Sequence, residues 1–355
     1  MSDKVIRSAL HGDDQVDLEV GGVPPPKLAG SIRRAAAEQR LAVASGRNTM
    51  LHLGLLTVLL LGMGTAAVLA DFWLIWICYW AVAGFVLTSC FAGVHEALHG
   101  SLFDSPALNH FTGMVTGALT LVPYSTYRAY HFEHHLRTHE EGDTEPIVVV
   151  RSRIVYLLTV CFAIVGLAAS LWGQFLAVQV GKGSPWATRR RRTGLDLGTG
   201  AAEMSAVVAA VVVGFTFGWR WPIMLWLVPL AVYFPLAGIF AIPEHYECDY
   251  GPGSVFRTTR TVISNRLVGF CQWNANYHTA HHLLPAVPGH NVPRLHVLIA
   301  SECEVVERSY LRYHIGVLGR IGRRQIPPAP PWSLEPDEDR SADRLVNPRR
   351  SPSRR

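Results

Sequence analysis

Long uncharged stretches alternate with polar segments along this chain. Residues 53–70 and 72–92 contain no charged side chain and are separated only by Asp71. A second pair, 206–218 and 221–241, is separated by Trp219 and Arg220. About 20 consecutive apolar residues are needed for a helix to cross a bilayer. The pattern predicts an all-α integral membrane protein with four transmembrane helices, arranged as two hairpins.

Two further apolar stretches are harder to place. Residues 154–180 are long enough to span, but Gly166, Gly173 and Gln174 interrupt them. Four consecutive arginines follow at 189–192, and arginine is typical of cytoplasmic loops. We therefore interpret 154–180 as a re-entrant or interfacial helix with no net crossing. A weaker stretch lies at 107–122.

Composition supports the membrane assignment. Hydrophobic residues make up 49% of the 355 residues and charged residues only 17%, with a mean hydropathy of +0.20. The net charge of +5 could suggest nucleic acid, but the basic residues cluster outside the two short turns. By the positive-inside rule we expect both termini and a histidine-rich cap to lie in the cytoplasm, most simply at a bacterial cytoplasmic membrane, with no nucleic-acid partner.

The ends of the chain differ from its centre. Residues 1–48 are polar, contain three consecutive prolines and show no signal peptide, so we expect a partly disordered segment there. Residues 49–318 should form the membrane domain, and 319–355 a disordered tail rich in proline and arginine. The six cysteines include no C-x-x-C pair, which argues against a disulfide framework or a zinc knuckle.

Histidines carry the candidate chemistry. Eight of the 16 fall in three short windows: one H-x-x-x-H and two H-x-x-H-H. A single H-x-x-H-H is expected only about 0.03 times in a chain of this histidine content. Helix positions three or four apart share a face, so each window can present several imidazoles together. The residues are His95, His99, His131, His134, His135, His278, His281 and His282.

The number and type of these side chains favour two iron ions. Eight imidazoles can serve two metals with about three to five nitrogens each, whereas zinc needs only three or four ligands in all. Soluble di-iron bundles use two Glu-x-x-His pairs and two more glutamates. Only Glu96 and His99 match such a pair here.

These motifs resemble the membrane fatty acid desaturase/hydroxylase family over roughly residues 45–300. The order of the three histidine boxes agrees, and residues 276–288 are similar to that family's N-Y-H-x-x-H-H-x-x-P-x-x-P pattern. The resemblance implies a non-haem di-iron centre that uses O₂ and two electrons to attack an unactivated C–H bond. It also implies a ninth ligand, His245. The asparagine that some members carry four residues earlier is Ala241 here.

The resemblance implies an enzyme that introduces a double bond into a fatty acyl chain of a lipid or acyl thioester. Electrons should come from ferredoxin or another separate protein, since no cytochrome b5-like domain is recognisable. A hydroxylase or ketolase of a carotenoid or other apolar metabolite is the alternative. An intramembrane zinc protease is a remote one, because residues 95–99 also read H-E-x-x-H.

Other side chains are candidates for supporting roles. Four residues could orient a metal-binding histidine through a hydrogen bond to its other ring nitrogen: His139, Asn274, Glu96 and Glu244. Asp143 and Glu145 could do the same or be solvated loop charges. Small residues on the spans, such as Gly84 and Gly238, could line an acyl tunnel, although close helix packing is the simpler role.

Overall fold

The computed structural model describes residues 26–145, 149–180, 195–251 and 253–325. Its elements, in chain order, are α1 (Pro26–Glu38), α2 (Gly46–Ala70), α3 (Trp73–Leu98), α4 (Pro106–Thr120), α5 (Tyr124–Arg137), α6 (Arg153–Gln179), α7 (Leu195–Phe217), α8 (Arg220–His245), α9 (Val255–Thr258), β1 (Thr261–Val262), α10 (Arg266–Cys271), α11 (His278–Leu283), α12 (Val292–Ile299), β2 (Val306–Glu307) and α13 (Tyr310–Gly322). A π-helical turn, Ile223–Leu227, lies within α8.

Four of these helices are long and apolar enough to cross a membrane: α2, α3, α6 and α8. Their outward-facing side chains are largely apolar and exposed, as expected for contact with lipid. The chain is therefore an integral membrane protein of the all-α class, as the sequence predicts.

The first hairpin has the expected form. Helix α2 ends at Ala70 and α3 begins at Trp73. Asp71 adopts a left-handed conformation (φ 42°), and its backbone N–H donates to the carbonyl oxygen of Ala67 at 3.0 Å. Its carboxylate accepts a 3.1 Å hydrogen bond from the indole of Trp76. These contacts close the turn within two residues.

The third long helix is a correction to the expected arrangement. Residues 154–179 belong to one uninterrupted α-helix, α6, that is long and apolar enough to cross a membrane, so no break in the helix supports the expected re-entrant course. Glycine and glutamine do not break a helix whose other residues are strongly apolar. Tyr156 lies 5.6 Å from the ring of Tyr246, and Ile164 packs with Leu230, so α6 runs antiparallel to α8.

The second expected hairpin has its turn at the expected place, but its two helices pack mainly against other helices. Helix α7 ends at Phe217 and α8 begins at Arg220, where the turn was expected. However, α7 packs mainly against α4 and α5, while α8 packs against α3 and α6. The apolar part of α7, Val207–Phe217, is also shorter than the four long helices.

Helices α4 and α5 pack against the long helices of the bundle. Helix α4 packs along α3, and its end is held by the indole N–H groups of Trp226 and Trp172, which donate to the carbonyl oxygens of Leu119 (2.8 Å) and Leu121 (2.9 Å). Helix α5 then carries the chain back to the second histidine box. The weaker apolar stretch at 107–122 is therefore an internal helix.

The remaining elements form a cap. Strands β1 and β2 pair in parallel, with Thr261 opposite Val306 and Val262 opposite Glu307. Ile32 and Ala36 of α1 pack with Leu295 of α12, so residues 26–48 are part of the packed structure. The segments 1–25 and 326–355, which hold most of the expected disordered tails, lie outside the described residues.

Candidate metal centre

Nine histidines from four elements converge at the inner face of the cap. The first box ends α3, the second lies on α5, His245 is the last residue of α8, and the third box forms α11. Their nitrogens form two groups, and within each group the possible ligand atoms lie within 4.8 Å of one another. The first group is His95, His99, His131, His135 and His281; the second is His134, His245, His278 and His282.

Each H-x-x-H-H box contributes to both groups. On α5, His131 and His135 are one turn apart and join the first group, whereas His134 joins the second. On α11 the division is reversed, with His278 and His282 in the second group and His281 in the first. Residues four apart share a helix face and their neighbours do not, so this spacing lets one turn face two adjacent sites.

The imidazole nitrogens face one another at short range. The Nε2 atoms of His131 and His135 are 2.9 Å apart. In the second group, Nε2 of His245 lies 3.1 Å from that of His134 and 2.8 Å from that of His278. The buried Nε2 atoms of His99 and His282 have no hydrogen-bond partner among the described residues. Buried nitrogens that converge without donors to satisfy them fit a cation at the centre of each group.

Groups behind the ring nitrogens orient several of these histidines. Nδ1 of His134 lies 2.8 Å from a carboxylate oxygen of Asp143, and Nδ1 of His131 lies 3.3 Å from Glu145. Nδ1 of His245 lies 3.1 Å from the carbonyl oxygen of Thr258. Such contacts fix the tautomer and turn Nε2 toward a metal.

Burial sets the charge of the boxes on α5 and α11. It holds the pKa of His131, His135, His278, His281 and His282 well below the ordinary value, which keeps their rings neutral. Neutral imidazole is the form that binds metals. His134 differs: burial lowers its pKa, but the carboxylates of Glu145 and Asp143 outweigh burial and raise it to about 9.

Two of the four expected supporting residues lie beside the histidines. Glu244 places a carboxylate oxygen 3.6 Å from Nδ1 of His278. The backbone N–H of His139 donates to Asp143 at 2.8 Å, and its Nδ1 lies 2.5 Å from the carbonyl oxygen of Asp249. His139 therefore ties the Asp143 loop to the segment after α8.

The other two have different partners. The carboxylate of Glu96 accepts hydrogen bonds from the hydroxyl of Ser101 and the backbone N–H of Gly289, both at 2.8 Å. The amide of Asn274 donates to the carbonyl oxygen of Gly289 at 2.9 Å. Both residues fix the loop after the third box.

Sequence reasoning missed a few contributors. Thr138 lies 3.4 Å from Nδ1 of His282, and its only sequence signal is its place one turn after His134. The buried Arg260 donates to the carbonyl oxygens of Pro243 and Tyr246, which brace the end of α8 beside His245. An isolated arginine after a span carries no signal for this role.

Comparison with known proteins identifies relatives of the chain. The family model described as fatty acid desaturase matches residues 70–314. A probable fatty acid desaturase of Sorghum bicolor is 34% identical over 121 residues, or 34% of this chain and 31% of the relative. An sn-2 acyl-lipid omega-3 desaturase (ferredoxin) of Helianthus annuus is 32% identical over 137 residues, which is 38% of this chain and 30% of the relative. An acyl-lipid omega-3 desaturase (cytochrome b5) of Arabidopsis thaliana is 34% identical over 120 residues, which is 34% of this chain and 31% of the relative. The matches thus span about a third of these relatives' length.

Proposed function

Because the chain belongs to the fatty acid desaturase family, we propose that it is a membrane di-iron oxidoreductase that introduces a double bond into a fatty acyl chain. The reaction would consume O₂ and two electrons. The division of nine histidines, eight of them buried, into two adjacent groups is the observation that carries this proposal, because it matches the ligand needs of two metal ions.

The donor set suits iron. Five imidazoles would hold one ion and four the other, which leaves positions for oxygen ligands and exceeds what a zinc site needs. When bound, the two irons would supply the activation of O₂ that attack on an unactivated C–H bond requires. The chain's own residues would hold the rings in place through Asp143, Glu145 and Thr258. The burial of eight of the nine histidines would exclude bulk water from the oxidant.

The fold supports a lipid substrate. His95 and His99 lie at the end of α3 and His245 at the end of α8, two of the helices long enough to span, so the site adjoins the hydrocarbon layer. Two relatives are named acyl-lipid desaturases, and their names include ferredoxin in one case and cytochrome b5 in the other. We propose an acyl lipid as the substrate and a separate protein, such as ferredoxin, as the electron donor.

The arrangement argues against a zinc protease. In that reading Glu96 would be the general base and would need to reach a metal-bound water. Its carboxylate is instead occupied by Ser101 and Gly289. The protease hypothesis also gives no role to the four histidines of the second group.

Metal analysis and product analysis test the proposal together. The purified protein should contain about two irons per chain. Expressed with a ferredoxin and its reductase, it should yield lipids whose acyl chains have lost two hydrogens, as measured by mass spectrometry. A gain of one oxygen would instead identify a hydroxylase. One zinc per chain with no iron would overturn the di-iron proposal.

A further inference from the structure

A cavity of about 650 Å³ opens beside α8, away from the histidines. Its walls come from the inner part of α8, the segment between β1 and α10, and the start of α13. The lining combines an arginine and small polar side chains with aromatic rings: Arg308, Ser264, Asn265, Ser309, Phe240 and Tyr310.

The polar side of the cavity is suited to an anion. Arg308 is exposed, and its guanidinium has no ion pair or hydrogen bond with any residue in the described part of the chain. The 13-residue helix α13 begins beside it, with its partial positive charge directed at the cavity. Guanidinium groups bind phosphate through paired, charge-assisted hydrogen bonds.

The rim of the cavity is apolar. Leu311 is 70% exposed and Leu267 62% exposed, and Ile315 continues the exposed apolar face of α13. Large apolar side chains that are exposed together, next to the end of a spanning helix, indicate contact with the membrane interface. The mouth of the cavity should therefore open to lipid.

The floor of the cavity leads toward the metal centre. Tyr310 is only 7% exposed, and its ring meets Phe240 edge-on at 4.9 Å. Its hydroxyl is buried without a hydrogen-bond partner among the described residues. Phe240 lies on α8 five residues before His245, the last residue of that helix.

The floor is also tied to the third histidine box through the backbone. Val262 packs with Tyr310 and Phe240, and its carbonyl oxygen accepts a 2.9 Å hydrogen bond from Asn276. Asn276 precedes His278 by two residues. The apolar cluster at the cavity is therefore linked to the segment that begins the third histidine box by this hydrogen bond.

We propose that this cavity binds the phosphate of a membrane glycerophospholipid, with Arg308 as the phosphate ligand. The acyl chain of that lipid would pass Tyr310 and Phe240 toward the histidines. This assignment rests on the proposed desaturase function and names its substrate class as a phosphate-bearing acyl lipid.

Lipid binding to the full-length, iron-loaded protein tests the site without relying on product formation. Phosphatidylglycerol and diacylglycerol with the same acyl chains are titrated in detergent and bound lipid is measured by native mass spectrometry. Arg308→Gln should weaken phosphatidylglycerol binding about tenfold and leave diacylglycerol binding unchanged. Arg308→Lys should weaken phosphatidylglycerol binding less than Arg308→Gln does, because lysine keeps the positive charge.

Arg33→Gln is the matched control, since Arg33 is an exposed arginine on α1, in a different packed cluster. It should leave the binding of both lipids unchanged. Equal effects of Arg308→Gln and Arg33→Gln, or no effect of Arg308→Gln, would overturn the site. Displacement of phosphatidylglycerol by coenzyme A would refute the assignment of the phosphate to a membrane lipid and would indicate an acyl thioester as the ligand.

The two proposals fail separately. Arg308-dependent lipid binding without any desaturated product would refute the proposed function and keep the site. Desaturated product with unchanged lipid binding in Arg308→Gln would keep the function and refute the site.

Discussion

Single residues in the histidine boxes have roles set by their position on one helical turn. Adjacent histidines of the same box, His134 and His135, belong to different groups, while His131 and His135 share one. Replacement of one histidine should therefore affect mainly one of the two proposed irons, although the groups are adjacent.

Removal of His135 tests this directly. His135→Ala removes a nitrogen that lies 2.9 Å from Nε2 of His131 and 3.2 Å from that of His281. We expect bound iron to fall from about two toward one per chain and desaturation to be lost, because no nearby group can replace the ligand. Iron is measured by plasma mass spectrometry. His290→Ala, at an exposed histidine six residues before His296, should retain both iron and activity.

Asp143 offers a test of the residues that contact the Nδ1 atoms of the proposed metal ligands. Asp143→Asn keeps the shape of the side chain but removes the charge beside Nδ1 of His134. Loss of such a partner weakens metal binding by about 10- to 100-fold, so iron should be removed by a chelator at correspondingly lower concentration. Asp104→Asn changes an exposed carboxylate elsewhere and should not alter the chelator titration. Equal iron retention in both variants would show that Asp143 has no such role.

Close approaches between helices decide how the elements pack. A Cβ atom at Gly238 would lie 1.9 Å from the carbonyl oxygen of Val160 on α6, and one at Gly84 would lie 2.5 Å from Val232 on α8. Both glycines therefore sit at helix contacts, and neither has the space that a tunnel wall would need. The antiparallel pairing of α6 with α8 depends on the absence of a side chain at Gly238.

Gly238→Ala should consequently destabilise the protein. Overpacking of this kind costs about 1–3 kcal/mol, and backbone on the opposing helix leaves little room for relaxation. We expect a lower thermal unfolding midpoint in detergent, measured by intrinsic fluorescence. Gly62→Ala is the matched control, because a Cβ atom at Gly62 on α2 meets nothing within 4 Å. It should leave the midpoint unchanged or raise it slightly, as alanine favours helix.

The two turns of the bundle meet at one end of the whole molecule. The guanidinium of Arg220 pairs with the carboxylate of Asp71, so the α2–α3 and α7–α8 turns adjoin. His95 and His99 lie at the opposite end of α3, and His245 at the opposite end of α8. The metal centre should therefore face the side of the membrane opposite to these turns.

Epitope insertion tests this orientation. Tags placed after Asp71 and after Gly218 should be accessible from the same, outer side of intact cells. A tag after Glu302, in the cap, should become accessible only after permeabilisation, because the basic residues before α2 and after α8 favour the cytoplasm. Surface labelling of the Glu302 tag in intact cells would contradict the proposed orientation.

The sequence by itself determined the features that depend on local chemistry. The length of an apolar run decides whether a helix can span, and the i, i+4 spacing of two histidines decides whether they share a face; neither needs a partner segment. The first hairpin and the turn before Arg220 could be anticipated in this way, whereas His245 was expected only from the resemblance to the desaturase family.

The tertiary structure decided what depends on contacts between distant segments. Which histidines share a group, the pairing of α8 with α6 in place of α7, and the use of Glu96 to hold Gly289 all arise from packing across long stretches of chain. Apolar helices of similar length have no pairing preference that hydropathy can reveal. Their partners are selected by shape, as where Gly238 admits the backbone of Val160, and shape exists only once the helices are assembled.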